Sequence, residues 1–144
     1  MTKPTKRARP IAEAARRSKS PTPTSEVGYC LREVRECLEV GPAAADAIGA
    51  WNAAKIRHRF THVEEIPAGV PIFWAGGSAG HGHIAIAAAK RGWCWSTDIR
   101  RPGYFDRVPI DEVTTKWRMT FLGWTEDLNG VRVYPNLVEH VKGG

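Results

Sequence analysis

The sequence has few cysteines and no long hydrophobic run. Its 144 residues include an odd number of cysteines, Cys30, Cys37 and Cys94, without a closely spaced pair. A disulfide scaffold is therefore not expected, and at least one thiol should be free, as in a protein made in a reducing compartment. No apolar stretch approaches the roughly 18 residues that a membrane-spanning helix requires. The basic N-terminus is not followed by an apolar segment, so we expect no secretory signal peptide.

Most of the chain has no excess of positive or negative charge. The formal net charge is +6, but residues 1–24 carry seven basic side chains and one acidic one. The other 120 residues hold 14 basic and 14 acidic side chains, which excludes a basic folded domain. Because residues 1–24 are also rich in proline and poor in apolar side chains, we predict a disordered leader in which only residues 11–17 have helical potential. A tether for nucleic acid or another anionic polymer is the alternative.

The residues after the leader show two kinds of periodicity. Cys30, Val34 and Cys37 share one stripe of a helix that ends near residue 41, and residues 43–54 form a second, alanine-rich helix. Shorter apolar runs between glycine-rich turns predict strands at 70–75, 83–89, 92–98, 119–124 and 131–133. A short helix is predicted at 109–117. Helices followed by an antiparallel sheet indicate an α+β fold, with N-terminal helices packed on a small antiparallel β-sheet.

One domain accounts for this pattern. We place it at residues 25–136, between the leader and a short C-terminal tail at 137–144. Within it, residues 55–65 predict a polar connector, whose histidines His58 and His62 have no evident partners.

Two of the predicted strands form a hairpin that combines an imidazole with a carboxylate. The first strand begins at His83, and strand alternation places Ala87 on the same face; Cys94 and Asp98 share a face of the second strand. A loop of two or four residues pairs Ala87 with Cys94 and His83 with Asp98. A carboxylate in that position fixes the tautomer of the histidine and favours the imidazolium. Since the other side chains of this face are small, we expect the helix that carries Cys30 to pack on it.

Cys30 lies at the predicted first turn of its helix. The free N–H groups and the dipole of such a turn stabilise a thiolate, and a nearby imidazolium does so more strongly. Cys30, His83 and Asp98 together would form the groups of a thiol-based acyl transfer. Cys37 is expected to be a core thiol, and a buried structural thiol is also the alternative for Cys30.

A zinc site is a second interpretation of the same region. His81 and His83, with Cys94 or Asp98, are residue types that bind zinc. No closely spaced cysteine pair accompanies them, and Gly82 indicates that His81 belongs to a flexible loop at the mouth of a cleft. We therefore expect no metal and no other cofactor.

The order of these motifs resembles a known group of enzymes. Four segments carry the likeness: Cys-Leu at 30–31, Pro-Ala-Gly-Val-Pro-Ile-Phe-Trp at 67–74, Gly-His-Ile-Ala-Ile at 82–86 and Ser-Thr-Asp at 96–98. They look like the cysteine peptidase domains of bacteriophage endolysins. Those domains belong with the CHAP (cysteine, histidine-dependent amidohydrolase/peptidase) and NlpC-type peptidoglycan hydrolases, whose fold is papain-like. Residues 123–131 also look like the end of such domains in phages of actinobacteria, so the resemblance covers about 28–134.

The resemblance implies a role for each candidate residue. Cys30 matches the nucleophile, His83 the general base and Asp98 the polar group that orients it, in an enzyme that cleaves amide bonds of peptidoglycan. CHAP domains commonly have asparagine or glutamate at the third position, so Asp98 should alter the pH profile. The candidates for substrate contact are Tyr29, Trp51, Trp74 and His81. For both tryptophans, a place in the core is the alternative.

Partners and location follow from the same resemblance. The implied partner is bacterial peptidoglycan, and the basic leader at 1–24 would add contact with anionic wall polymers; we expect a monomer with no membrane span and no nucleic-acid partner. The implied location is the host cytoplasm before release to the cell wall. Two other functions stay open, namely a non-catalytic virion or wall-binding module of the same fold and a zinc-dependent hydrolase.

Overall fold

A sheet of six antiparallel strands forms the centre of the fold. The computed structural model describes residues 9–17, 34–38, 46–59, 62–77, 80–97, 99 and 104–133. The strands are β1 (Arg57–Arg59), β2 (Pro71–Ala75), β3 (His83–Ala87), β4 (Trp93–Thr97), β5 (Phe105–Pro109), β6 (Thr120–Thr125), β7 (Asp127–Leu128) and β8 (Val131–Arg132). The sheet order is β1-β6-β2-β3-β4-β5, and β7 and β8 form a separate hairpin.

The helices in the described ranges are short. They are α1 (Arg9–Arg17), α2 (residues 34–37), α3 (Ala47–Ala53), α4 (Ile110–Trp117) and a 3-10 helix at Val63–Glu65. Together with the antiparallel sheet they give the predicted α+β class. None of them is long and apolar enough to cross a membrane.

Alternating side chains give the sheet two apolar faces. On β3, Ile84 and Ile86 belong to one buried cluster, whereas Ala85 and Ala87 belong to another. We name these the isoleucine face and the alanine face. Because successive side chains of a strand point to opposite sides, this division confirms the alternation predicted from the sequence.

The helices divide between these two faces. Val34 and Cys37 of α2 are buried in the cluster of the isoleucine face, to which α1 and α3 also contribute. Ile110 and Val113 of α4 pack in the cluster of the alanine face. The expectation that the helix carrying Cys30 packs on the alanine face is therefore wrong for the described part of that helix. The small side chains of this face accommodate α4 instead.

Residues 9–17 differ from the predicted disordered leader. Ala14 of α1 is fully buried in the cluster of the isoleucine face, and Ile11 packs against the same cluster. The small Ala14 side chain lets this helix approach the sheet closely. The exposed Arg16 forms an ion pair with Glu13 on the same helix. The leader therefore includes a segment that contributes to the core, and its other residues lie outside the described ranges.

The connector after α3 contains a strand that the sequence did not predict. β1 pairs with β6, where Gly123 adopts φ +135° and a Cβ atom would lie 1.9 Å from the carbonyl oxygen of His58. The His58 ring stacks on Trp124 with centroids 3.9 Å apart, and its Nε2 lies 2.7 Å from Oε2 of Glu126. The expectation that His58 has no partner is wrong, because the strand pairing brings distant residues onto its ring.

Candidate functional site

The β3–β4 hairpin has the predicted register. Ala87 pairs with Cys94, and a backbone hydrogen bond of 2.9 Å closes a loop of four residues, 89–92. The described pairs of this ladder are Ile86 with Trp95 and Ala87 with Cys94, so the pairing of His83 with Asp98 stays a prediction. Asp98 itself lies outside the described residues.

His83 is a buried histidine at the first position of β3. Its side chain points to the alanine face and is 4% exposed. The ring meets Trp117 of α4 edge-on, with centroids 4.8 Å apart, and Trp74 of β2 at a tilt, with centroids 5.6 Å apart. Its Nε2 lies 2.7 Å from Oγ of Ser96, which is fully buried. Two indoles and a hydroxyl thus fix the orientation of the ring.

The surroundings of His83 favour the neutral imidazole. Burial lowers the pKa of His83 from 6.5 to about 3, because a charged ring would lose its hydration. At neutral pH one ring nitrogen therefore holds a lone pair that can accept a proton. A carboxylate at position 98 is predicted to favour the imidazolium, whereas burial of the ring acts in the opposite direction. A protonated His83 would need an anion beside it.

Ser96 is the residue of this site that the sequence analysis missed. It lies two positions before Asp98 in the sequence, and in an antiparallel sheet a diagonal neighbour on the next strand comes within reach of a long side chain. The predicted hairpin register already places Ser96 and His83 on a common face, so their contact could have been predicted from the sequence. Asp98 was the expected partner of His83 because a carboxylate interacts more strongly with an imidazole than a hydroxyl does.

The two described cysteines are core residues. Cys37 packs in the isoleucine face, as predicted, and Cys94 packs in the alanine face. Burial, together with the Glu112 carboxylate, raises the pKa of the Cys94 thiol well above its usual range. A protonated and buried thiol is a poor nucleophile. Cys30 and Tyr29 lie outside the described residues, so their predicted roles stay predictions.

The structure places Trp51 and Trp74 in the core. Trp51 is 3% exposed and packs on Phe73, with ring centroids 5.4 Å apart. Trp74 is fully buried, and its Nε1 donates a hydrogen bond of 2.9 Å to Oγ1 of Thr114 on α4. Neither indole presents surface to a ligand. Their assignment to a substrate groove is corrected in favour of the core alternative.

His81 connects the loop before β3 to α3. Its Nδ1 lies 2.7 Å from Oδ2 of Asp46, the N-cap residue of α3, and its carbonyl accepts a hydrogen bond from the N–H of Ile48. The hydrogen bond from His81 lowers the pKa of the Asp46 carboxyl. The ring is partly exposed; its position at the mouth of a cleft and its contact with substrate stay predictions.

The described residues do not form the zinc site that the sequence left open. His81 bonds to Asp46, whereas His83 bonds to Ser96. Across the described ranges, no group of three or more histidine, cysteine or acidic side chains is placed to hold a metal ion.

A surface pocket of about 500 Å³ lies at the other end of β3. Its lining residues come from the 3-10 helix, the turn that follows it and the β3–β4 loop: Glu64, Glu65, Ile66, Pro67, Ala68, Ala88, Ala89 and Arg91. This lining contains neither a thiol nor an imidazole. His83 lies at the opposite end of the same strand.

Comparison with known proteins shows the fold. No protein-family model and no curated protein matches the sequence. Among solved structures, the chain is similar to a Staphylococcus aureus subsp. aureus Mu50 protein described as similar to lipoprotein, of the NLP/P60 family. The TM-score is 0.54 with 14% sequence identity, and the match covers 87% of this chain but 44% of the other. This chain therefore has the α+β, papain-like fold of NlpC-type proteins, as predicted.

Proposed function

We propose that this protein is a cysteine peptidase or amidase that hydrolyses an amide bond of bacterial peptidoglycan. In this proposal Cys30 is the nucleophile, His83 the general base and Asp98 the group that orients the histidine. The observation that carries it is the buried His83 imidazole at the start of β3, held at Nε2 beside the Ser96 hydroxyl, in a chain with an NlpC-type fold. The likeness to the solved structure of the NLP/P60 family supports the fold on which this proposal places the three residues.

The reaction uses the neutral imidazole as a proton carrier. The Cys30 thiol transfers its proton to His83 as the sulfur attacks the carbonyl carbon of the scissile amide. His83 then delivers this proton to the leaving amine, which departs and leaves a thioester on Cys30. Water attacks the thioester while His83 accepts its proton. Collapse of that intermediate releases the carboxylic acid and returns the proton to Cys30.

The position of His83 supports a nucleophile that approaches from the end of the sheet. His83 is the first residue of β3, so its ring lies where the strand begins; the last residue of α4, Trp117, meets the ring there, and the rest of α4 covers the alanine face further along. A helix start can reach this end without lying on the covered face. During the reaction, the oxyanion that forms on the attacked carbonyl and the carboxylate of Asp98 are the anions that would compensate a protonated His83.

The decisive experiment compares thiol variants in a peptidoglycan assay. Purified wild-type protein should release new amino groups from isolated cell walls, and Cys30→Ala should release none while keeping its far-UV circular dichroism spectrum. Cys94→Ala is the matched control, since that thiol is buried in the core. It should retain activity with a modest loss of stability. Equal activity of Cys30→Ala and wild type would refute the assignment, and wall binding without turnover would favour the non-catalytic module.

Alkylation separates a thiol enzyme from a zinc hydrolase. Iodoacetamide should inactivate the native protein by modifying Cys30, whereas Cys37 and Cys94 are protected by burial. Peptide mass spectrometry identifies the labelled thiol. Inactivation by a chelator together with resistance to alkylation would favour the zinc mechanism instead.

We propose further that the enzyme acts as an endolysin, made in the host cytoplasm and active on the wall after release. Expression inside a susceptible host should cause lysis only when a holin is produced with it. Mass spectrometry of the released muropeptides would identify the amide bond that is cleaved. Host lysis that does not depend on Cys30 would contradict this role.

A further inference from the structure

Ser96 makes two hydrogen bonds that together define the protonation of the His83 ring. Its Oγ lies 2.7 Å from Nε2 of His83, and it donates to the carbonyl oxygen of Thr97 over 3.3 Å. Ser96 is fully buried and His83 nearly so. Water therefore does not compete for either group, and the protein alone determines where the protons lie.

The proton count of these groups allows one arrangement that keeps both bonds. A serine hydroxyl has a single proton, and the bond to the Thr97 carbonyl requires that proton because a carbonyl oxygen can only accept. The oxygen then accepts, so Nε2 of His83 must carry the donated proton. Since a neutral imidazole has one N–H, its Nδ1 holds the lone pair. The opposite tautomer would have to take the serine proton away from the carbonyl.

We propose that Ser96 is a positioning residue that holds His83 as the Nε2–H tautomer and leaves Nδ1 as the atom that accepts the Cys30 proton. This inference rests on the proposed function for its catalytic part. In this proposal Ser96, and not Asp98 as the sequence predicts, determines the tautomer of His83. Asp98 would then stabilise the positive charge of the ring once His83 is protonated.

A hydroxyl suits this role because it carries no charge. A carboxylate bonded to Nε2 would favour the imidazolium, whereas Ser96 fixes the tautomer and leaves the ring neutral in its buried site. The contacts with Trp74 and Trp117 hold the ring plane but offer no acceptor to either nitrogen. Removal of the Ser96 hydroxyl should therefore allow both tautomers of His83 while the ring stays packed between the two indoles.

Nitrogen NMR of the full-length protein tests this directly. In wild type labelled with ¹⁵N-histidine, His83 should show a protonated Nε2 and an unprotonated Nδ1 at pH 7. Loss of one buried hydrogen bond changes such an equilibrium by roughly tenfold, so Ser96→Ala should show a mixture of tautomers. In the peptidoglycan assay the same variant should lose about tenfold in kcat with little change in KM. Ser96→Thr retains a hydroxyl and should restore the wild-type tautomer.

Thr97→Val is the matched control. Thr97 is the next residue of β4 and is also buried, but its Oγ1 has no hydrogen-bond partner among the described residues. This variant keeps the backbone carbonyl that Ser96 uses, so the tautomer should not change. A wild-type His83 protonated at Nδ1, or a Ser96→Ala spectrum identical to wild type, would overturn the inference. If Ser96→Ala does not fold, the wild-type and Ser96→Thr spectra test the inference, since His83 should be protonated at Nε2 in both. Absence of turnover with the expected tautomer would refute the proposed function and the Nδ1 step, but not the control of the tautomer by Ser96.

Discussion

A buried neutral histidine should make this protein sensitive to mild acid. The pKa of His83 is about 3 in the folded protein and 6.5 in an unfolded chain. Between these values the unfolded chain binds a proton that the folded protein excludes. The contribution of His83 to the free energy of unfolding is therefore complete above pH 6.5 and is lost as the pH falls towards 3.

The size of this effect follows from the separation of the two pKa values. One pH unit corresponds to about 1.4 kcal/mol for a single proton. Between pH 7.5 and pH 4 the linkage therefore removes about 3 kcal/mol from the free energy of unfolding. That is a large fraction of the 5–15 kcal/mol typical of folded domains. Carboxyl groups such as Asp46, whose pKa is lowered, add their own losses at lower pH.

Urea unfolding of wild type and His83→Gln isolates the contribution of His83. The transition is followed by tryptophan fluorescence at pH 7.5 and at pH 4. His83→Gln cannot be protonated at this position, so its stability should fall by about 3 kcal/mol less than that of wild type. His62→Gln is the control, since His62 is exposed. It should follow the wild-type dependence on pH.

The result that would refute this reasoning is equal acid sensitivity of wild type and His83→Gln. A direct titration of the His83 ring near pH 6.5 would have the same consequence. Either result would mean that water or a nearby anion stabilises the imidazolium in the folded protein. The neutral resting state of the proposed base would then have to be abandoned.

Two further predictions concern the parts of the fold that the sequence did not predict. Gly123→Ala should cost at least about 2 kcal/mol, because its Cβ would meet the His58 carbonyl oxygen and separate β1 from β6. Gly130→Ala, which has open space but φ +82°, should cost about 1 kcal/mol. Ala14→Asp should cost about 2 kcal/mol by burying a carboxylate under α1. Arg16→Ala should change stability by less than about 0.5 kcal/mol. Urea unfolding measures all four, and equal losses within either pair would contradict these accounts.

The part of the candidate site that could be predicted is local in sequence. The alternation of β3 and the short loop at 89–92 define the hairpin register, and no distant residue is needed to derive it. Register in turn determines which side chains share a face. The common face of His83 and Ser96 was therefore accessible from the sequence, although the hydrogen bond between them was not assigned.

The parts that could not be predicted depend on residues far along the chain. β1 has the sequence Arg57-His58-Arg59 and no apolar alternation; it is a strand because Gly123 admits its backbone and Trp124 stacks on His58. In β5 the buried side chains are Phe105 and Val108, which are three positions apart and so do not follow the period of two. Neither strand shows the alternation of apolar and polar side chains from which a strand is predicted.

The position of α4 has a consequence for the chemistry of the proposed site. Small side chains on the alanine face admit any helix, and the sequence alone cannot distinguish α4 from the helix of Cys30. Because α4 covers that face, Trp117 lies against His83 and the ring loses its hydration. In the mechanism that we propose, a base that is neutral at rest would not hold Cys30 as a preformed thiolate, and the proton would leave the thiol as the sulfur attacks.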